Sequence, residues 1–141
     1  MAVKMKEYSS FTQIAETMDR EISETKSALG EYLRRLDEIR NVAEKSKKVR
    51  EIVMKLAGKR DTAATSDEIT VGTLDIVLDA TPFHELESIE TAVRSHQERL
   101  LDLQKAREGL KSLSNLGDTE GIQFLAVEND GIPERILFKL A

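Results

Sequence analysis

Two histidines, 26 carboxylates and 21 Lys/Arg, with no cysteine, are the residues of this chain that could do chemistry. His84 and His96 stand twelve positions apart in a stretch of helical periodicity. At roughly 100° per residue they are about 120° out of phase, so they cannot ligate one ion within a single chain. His84 with Glu87 and Ser88 makes an i, i+3, i+4 cluster, the spacing that can hold a metal between neighbouring turns. It reads better as a solvated first helical turn, and no metal is expected. His96 falls on an apolar seam, where a polar residue that fixes register is a better reading than a pH switch. Carboxylate pairs such as Glu87/Glu90 and Asp118/Glu120 are what so many scattered acids produce by chance, so no general acid and base stand out. Cysteine chemistry is excluded outright. There is no Gly-rich loop with Lys-Ser/Thr before a helix and no Gly-x-Ser-x-Gly. The expectation is a non-enzymatic protein with no catalytic residue and no cofactor.

The sharpest remaining cluster is cationic: Lys45, Lys47, Lys48, Arg50, Lys55, Lys59 and Arg60. Residues 31–60 hold ten Lys/Arg against five acids, +5 within a chain of net charge −5, which leaves −10 for the rest. This run could bind phosphates along nucleic acid, or lie on a membrane surface. A local role is favoured: cations near a helix C-terminus complement its dipole, and an acidic second helix is available in the same chain. Nucleic acid is therefore the alternative partner. The four Phe and two Tyr (Phe11, Phe83, Phe124, Phe138, Tyr8, Tyr32) are scattered, so no stacking platform for single strands is present.

The elements that position these residues are mostly helical. Hydrophobic residues make up 40%, aromatic 4% and charged 33% of 141 residues, the profile of long helices more than of an enzyme core. From Phe11 to Ala57 apolar residues recur at steps of three and four: Phe11, Ile14, Met18, Ile22, Thr25, Leu29, Tyr32, Leu36, Ile39, Val42 or Ala43, Val49, Val53 and Leu56. That spacing predicts a helix with a coiled-coil seam. It opens on a Ser10/Gln13 capping box, stops at Gly58, and spans roughly 70 Å at ~1.5 Å per residue. A second seam runs Leu86, Ile89, Val93, His96, Leu100, Leu103, Ala106 or Arg107, Leu110 and Leu113. Thr81 caps it, Pro82 takes the first helical position, and Gly117 ends it.

Lys59–Glu68 reads as a polar linker. Ile69–Asp79 is β-branched and alternating, with Ile69 and Val71 on one parity and Leu74, Ile76 and Leu78 on the other. A tight turn or bulge at Gly72-Thr73 would shift the phase. Asp130-Gly131 between two alternating runs predicts a C-terminal hairpin over 122–140, with Ile122, Phe124, Ala126, Ile136, Phe138 and Leu140 as an apolar face.

The expected organisation is 1–58 as a long coiled-coil helix, 59–81 as linker and β segment, 82–117 as second helix and 118–141 as β-hairpin. The fold class is mainly α with small β, a long antiparallel coiled-coil helical hairpin. Leu86 and Ile89 are expected near Val53 and Leu56, and Leu110 and Leu113 near Ile14–Ile22. A two-stranded hairpin is marginal alone. Ile69, Val71, Leu74, Ile76, Leu78, Ile122, Phe124, Ile136, Phe138 and Leu140 are therefore expected at an oligomer interface. No stretch of 18 apolar residues or leader-like run is present, so no membrane span is expected and the location is taken as cytoplasmic.

With its long first helix, polar linker, the segment Thr70-Val71-Gly72-Thr73-Leu74 with Ile76 beyond, and Glu85-Leu86-Glu87-Ser88-Ile89-Glu90 opening the second helix, the chain resembles the beta-type subunit of prefoldin over about residues 10–116. The resemblance implies an ATP-independent holding chaperone, with β segments joined into a body shared by subunits and free helix ends holding a non-native client. The hairpin 122–140 and the unequal helix lengths depart from that family's plan.

Overall fold

The structure, a computed structural model, describes residues 3–57, 68–77, 80–113 and 120–140. Gly58, Lys59, Arg60, Leu78 and Gly117, which carry parts of the sequence reading, lie outside them. The elements are β1 (Val3–Tyr8), α1 (Phe11–Ala57), β2 (Glu68–Val71), β3 (Leu74–Val77), α2 (Pro82–Lys111), β4 (Ile122–Asn129) and β5 (Ile132–Leu140). The chain is thus mainly helical, with one antiparallel sheet ordered β1-β4-β5 and a separate two-stranded sheet β2-β3. It divides into two compact units. Met1–Leu29 with Ser95–Ala141 form a sheet unit, and Gly30–Arg94 form a ribbon unit.

Both hairpin turns follow from glycine. Asp130 and Gly131 have φ of 53° and 79°, the pair of positive angles of a type I′ turn that matches strand twist. Ile132 and Pro133 extend β5 closer to the turn than the alternation suggested. A bulge between Val127 and Glu128 absorbs the extra residue Glu134. Pro133 is tolerated because β5 is an edge strand. In the ribbon unit Gly72, at φ 64°, opens a two-residue turn between the paired Val71 and Leu74. A tight turn, not a bulge, is therefore the phase shift expected at Gly72-Thr73.

α1 has the bounds expected of the first helix, Phe11–Ala57, but the segment 1–58 assigned to that helix also holds β1, which the reading lacked. Tyr8 pairs with Phe124, Lys6 with Ala126 and Lys4 with Glu128. Lys4 and Lys6, both exposed, therefore share the parity of buried Tyr8, while Val3 and Met5 take the opposite face at 64% and 62% exposure. This inverts the usual alternation, which is why the strand is hidden in the pattern. The helix-capping box is also displaced. The Gln13 backbone N–H donates to Ser10 Oγ at 3.2 Å as expected, but Gln13 Oε1 accepts from the backbone N–H of Ser9, at 2.8 Å, rather than from Ser10.

With β1 in place the C-terminal hairpin has a core inside its own unit. Phe124 and Ala126 are fully buried with Tyr8, Ile14, Met18 and Leu110, and Phe11, Ile122, Ile136 and Leu113 pack around them. Phe11 lies 4.3 Å from Phe124 and 5.6 Å from Phe138, centroid to centroid, and Phe124 meets Phe138 edge-on at 5.2 Å. Burial of one such ring is worth about 1.5–3 kcal/mol. Phe124 is therefore a core residue, correcting its assignment to an oligomer interface; Ile122 and Ile136 likewise pack inward, and Leu140 alone is almost fully exposed. Arg107 Nε donates to Asp19 at 2.8 Å and Arg99 Nη2 to Glu21 at 3.3 Å, so the α1 and α2 segments of this unit run in opposite directions. Leu110 and Leu113 do meet Ile14 and Met18.

The α2 helix opens at Pro82 as expected, but ends at Lys111, with Leu113 N–H bonded back to Leu110 O at 3.0 Å in a tighter final turn. The expected boundary at 117 is thus too late.

Candidate interaction surfaces

The buried face of α1 is set at residues 42 and 43. Leu36, Ile39 and Ala43 are buried, and Ser46, Arg50 and Met54 are half-buried, continuing that phase. Val42, Val49, Val53 and Leu56 fall on the other phase and are 49%, 60%, 55% and 84% exposed. The seam assigned to Val49, Val53 and Leu56 is corrected accordingly, and with it their expected contact with Leu86 and Ile89. Arg50 lies 5.6 Å above the Phe83 ring, so α2 begins alongside Arg50 and the last two turns of α1 run past its start. Elsewhere the seam residues lie inward: Leu36, Ile39, Ile89, Val93, Leu103 and Leu110 are buried, and Ile22, Leu29, Leu86, His96, Leu100 and Leu113 half-buried.

The β2-β3 ribbon presents the second aliphatic surface. Ile69 faces Ile76 and Val71 faces Leu74 across the strands. Directly opposed residues share a face. The two-residue turn thus gathers both parities into one apolar face, with Ile69, Val71, Leu74 and Ile76 exposed by 47%, 60%, 63% and 37%. The other face carries Thr70, whose hydroxyl donates to Asp75 Oδ1 at 3.0 Å. Sequence reading picked out these four residues but placed the two pairs on opposite parities; only strand pairing unites them.

The sheet unit has an open apolar groove along β5, lined by Met18, Leu110, Leu113, Ile136 and Phe138. Among the described residues, its buried cluster includes one titratable side chain, the Tyr8 phenol. Tyr8 Oη donates to Glu128 Oε1 at 3.0 Å, and burial, reinforced by that carboxylate, pushes the phenol from its ordinary 10.0 to about 12.

The chemistry candidates resolve into structural parts. His84 Nδ1 sits 3.1 Å from the backbone N of Thr81 and 2.9 Å from its hydroxyl, so the imidazole closes the N-terminus of α2 in the way a capping-box Glu does. Among the described residues no group of three or more His, Cys, Asp or Glu could hold a metal ion. No described helix is long and apolar enough to cross a membrane. Of the basic run, Lys45, Lys47, Lys48 and Lys55 are exposed, while Arg50 is engaged over Phe83. At ~100° per residue these five cations spread over more than half the helix circumference, too broad for one line of phosphates. No family model, curated protein or solved structure matches the chain.

Proposed function

We propose that this chain is a non-enzymatic assembly module, a long antiparallel coiled-coil helical hairpin whose β2-β3 ribbon joins other subunits in a homo- or hetero-oligomer. The observation that carries this reading is the ribbon's single aliphatic face, Ile69, Val71, Leu74 and Ile76, 37–63% exposed. A two-stranded ribbon is marginal in water by itself, and an apolar face of this kind gains from sheet-on-sheet burial or strand addition. A prefoldin-like, ATP-independent holding chaperone of the cytoplasm is the specific form this takes. Its client would be a non-native protein.

The test is native mass in solution. The wild-type chain is expected as an oligomer, and Leu74→Ser with Ile76→Ser is expected to shift it to a smaller species while helix content is kept. A monomeric wild type would overturn the reading. Nucleic-acid binding through the Lys45–Arg60 run is the competing reading; a steep loss of duplex DNA or RNA binding with salt would support it, since each neutralised phosphate releases counterions.

A further inference from the structure

The exposed aliphatic residues of α1 repeat with the geometry of a second seam. Val42, Val49 and Leu56 are seven residues apart, with Ile52 and Val53 between the last two, and all five are 49–84% exposed. At ~100° per residue this stripe is centred roughly a third of a turn away from the face that carries Leu36, Ile39 and Ala43. The helix therefore uses one phase inside the chain and presents another to solvent. Lys45 stands within the stripe, and on the flank away from the buried face stand Lys48 and Lys55, all three exposed.

We propose that this stripe docks a partner α-helix from another protein, one with an aliphatic heptad seam and acidic flanks. The proposal rests on reading the chain as an interaction module, and it concerns a different surface from the β2-β3 ribbon. Three features select the occupant. Period-seven aliphatic residues are the knobs that a facing helix receives. The lysine flank calls for carboxylates on that helix. A second copy of the same stripe is disfavoured in both orientations: a parallel pair sets Lys45 against Lys45 at a core position, and an antiparallel pair sets Lys48 against Lys55. An anionic membrane is a poorer match. The stripe has no Trp or Phe to seat at the headgroup level.

The experiment uses the full chain and two synthetic helical peptides with the same Leu/Val heptad core, one flanked by Glu and one by Lys, followed by fluorescence anisotropy. Saturable binding of the Glu-flanked peptide, at least about tenfold tighter than the Lys-flanked one, is expected. Val49→Ser with Val53→Ser should weaken it about tenfold or more, and Lys48→Glu with Lys55→Glu should reverse the preference. All four positions are exposed, so circular dichroism of each variant should match wild type. Equal binding of the two peptides, no binding of either, or binding insensitive to the valine changes would overturn the proposal. So would binding of vesicles rich in phosphatidylserine in place of the Glu-flanked peptide. Native mass tests the ribbon separately, so loss of one result leaves the other readable.

Discussion

Both units contain a β-hairpin closed by a two-residue turn with a glycine at positive φ, yet one hairpin is core and the other is surface. In the sheet unit β1 joins β4, and the start of α1 brings Phe11, Ile14 and Met18 onto the inner face, leaving Phe124 and Ala126 without exposure. In the ribbon unit the four aliphatic side chains of β2 and β3 stay open. A third strand and a covering helix make the difference. An apolar face that finds its cover inside the chain contributes to folding; one that does not remains available for a partner.

The largest effect that sharpens this contrast is expected at Phe124. Phe124→Ala should cost about 3–5 kcal/mol, measured by urea unfolding, because the cavity opens in the middle of a three-ring cluster. A loss below about 1 kcal/mol would mean that the sheet unit is not closed as described. Next is Gly131→Ala. A Cβ there would sit 3.2 Å from Arg99 Nη2, at a φ of 79°, whereas Gly72→Ala has a similar φ but open space around it. Gly131→Ala should therefore cost more than the ~1 kcal/mol expected of strain alone at Gly72. Equal losses at the two turns would erase this part of the contrast.

A smaller effect separates the units by pH. Tyr8 belongs to the sheet unit, and its folded pKa of about 12 exceeds the ordinary 10.0. Between those values the unfolded chain releases the phenol proton while the folded chain keeps it, so folding binds more protons and stability falls as pH rises. The contribution is complete below pH ~10 and lost by about 12. Tyr8→Phe should flatten that part of the stability–pH curve and cost about 1 kcal/mol at neutral pH through the lost bond to Glu128. A curve unchanged by the substitution would show that other groups set the alkaline limit. The smallest effect is expected in the ribbon unit, where Val71→Ser should change monomer stability by no more than about 0.5 kcal/mol. A loss of several kcal/mol, measured on dilute monomer, would show that the ribbon is covered after all.

Much of the local structure was legible. The C-terminal turn was read from Asp130-Gly131 because few dipeptides adopt two positive φ angles, and the start of α2 from Thr81-Pro82 because proline lacks only an N–H that the first turn leaves free. The four ribbon aliphatics were picked out as surface-seeking residues from their β-branched alternation. The exposed cations of α1 were also found, but the stripe beside them was mistaken for an internal seam. Val42 and Ala43 both continue a three-four pattern, and period alone ranks them equally.

Amino-acid order by itself determined where the helices begin and where the hairpin turns form, because backbone geometry, capping and short-range periodicity act within a few residues. It also determined that cysteine chemistry is absent. Tertiary structure alone decided which apolar faces are interior. β1 was recognised only by its partner β4, since exposed Lys4 and Lys6 share the parity of buried Tyr8, against the usual alternation. Ala43 prevailed over Val42 because α1 buries the phase carrying Leu36 and Ile39, and α2 begins alongside Arg50, short of Val53 and Leu56. Burial depends on which segments meet across long sequence separations, and a repeat that fits two phases holds no record of that choice.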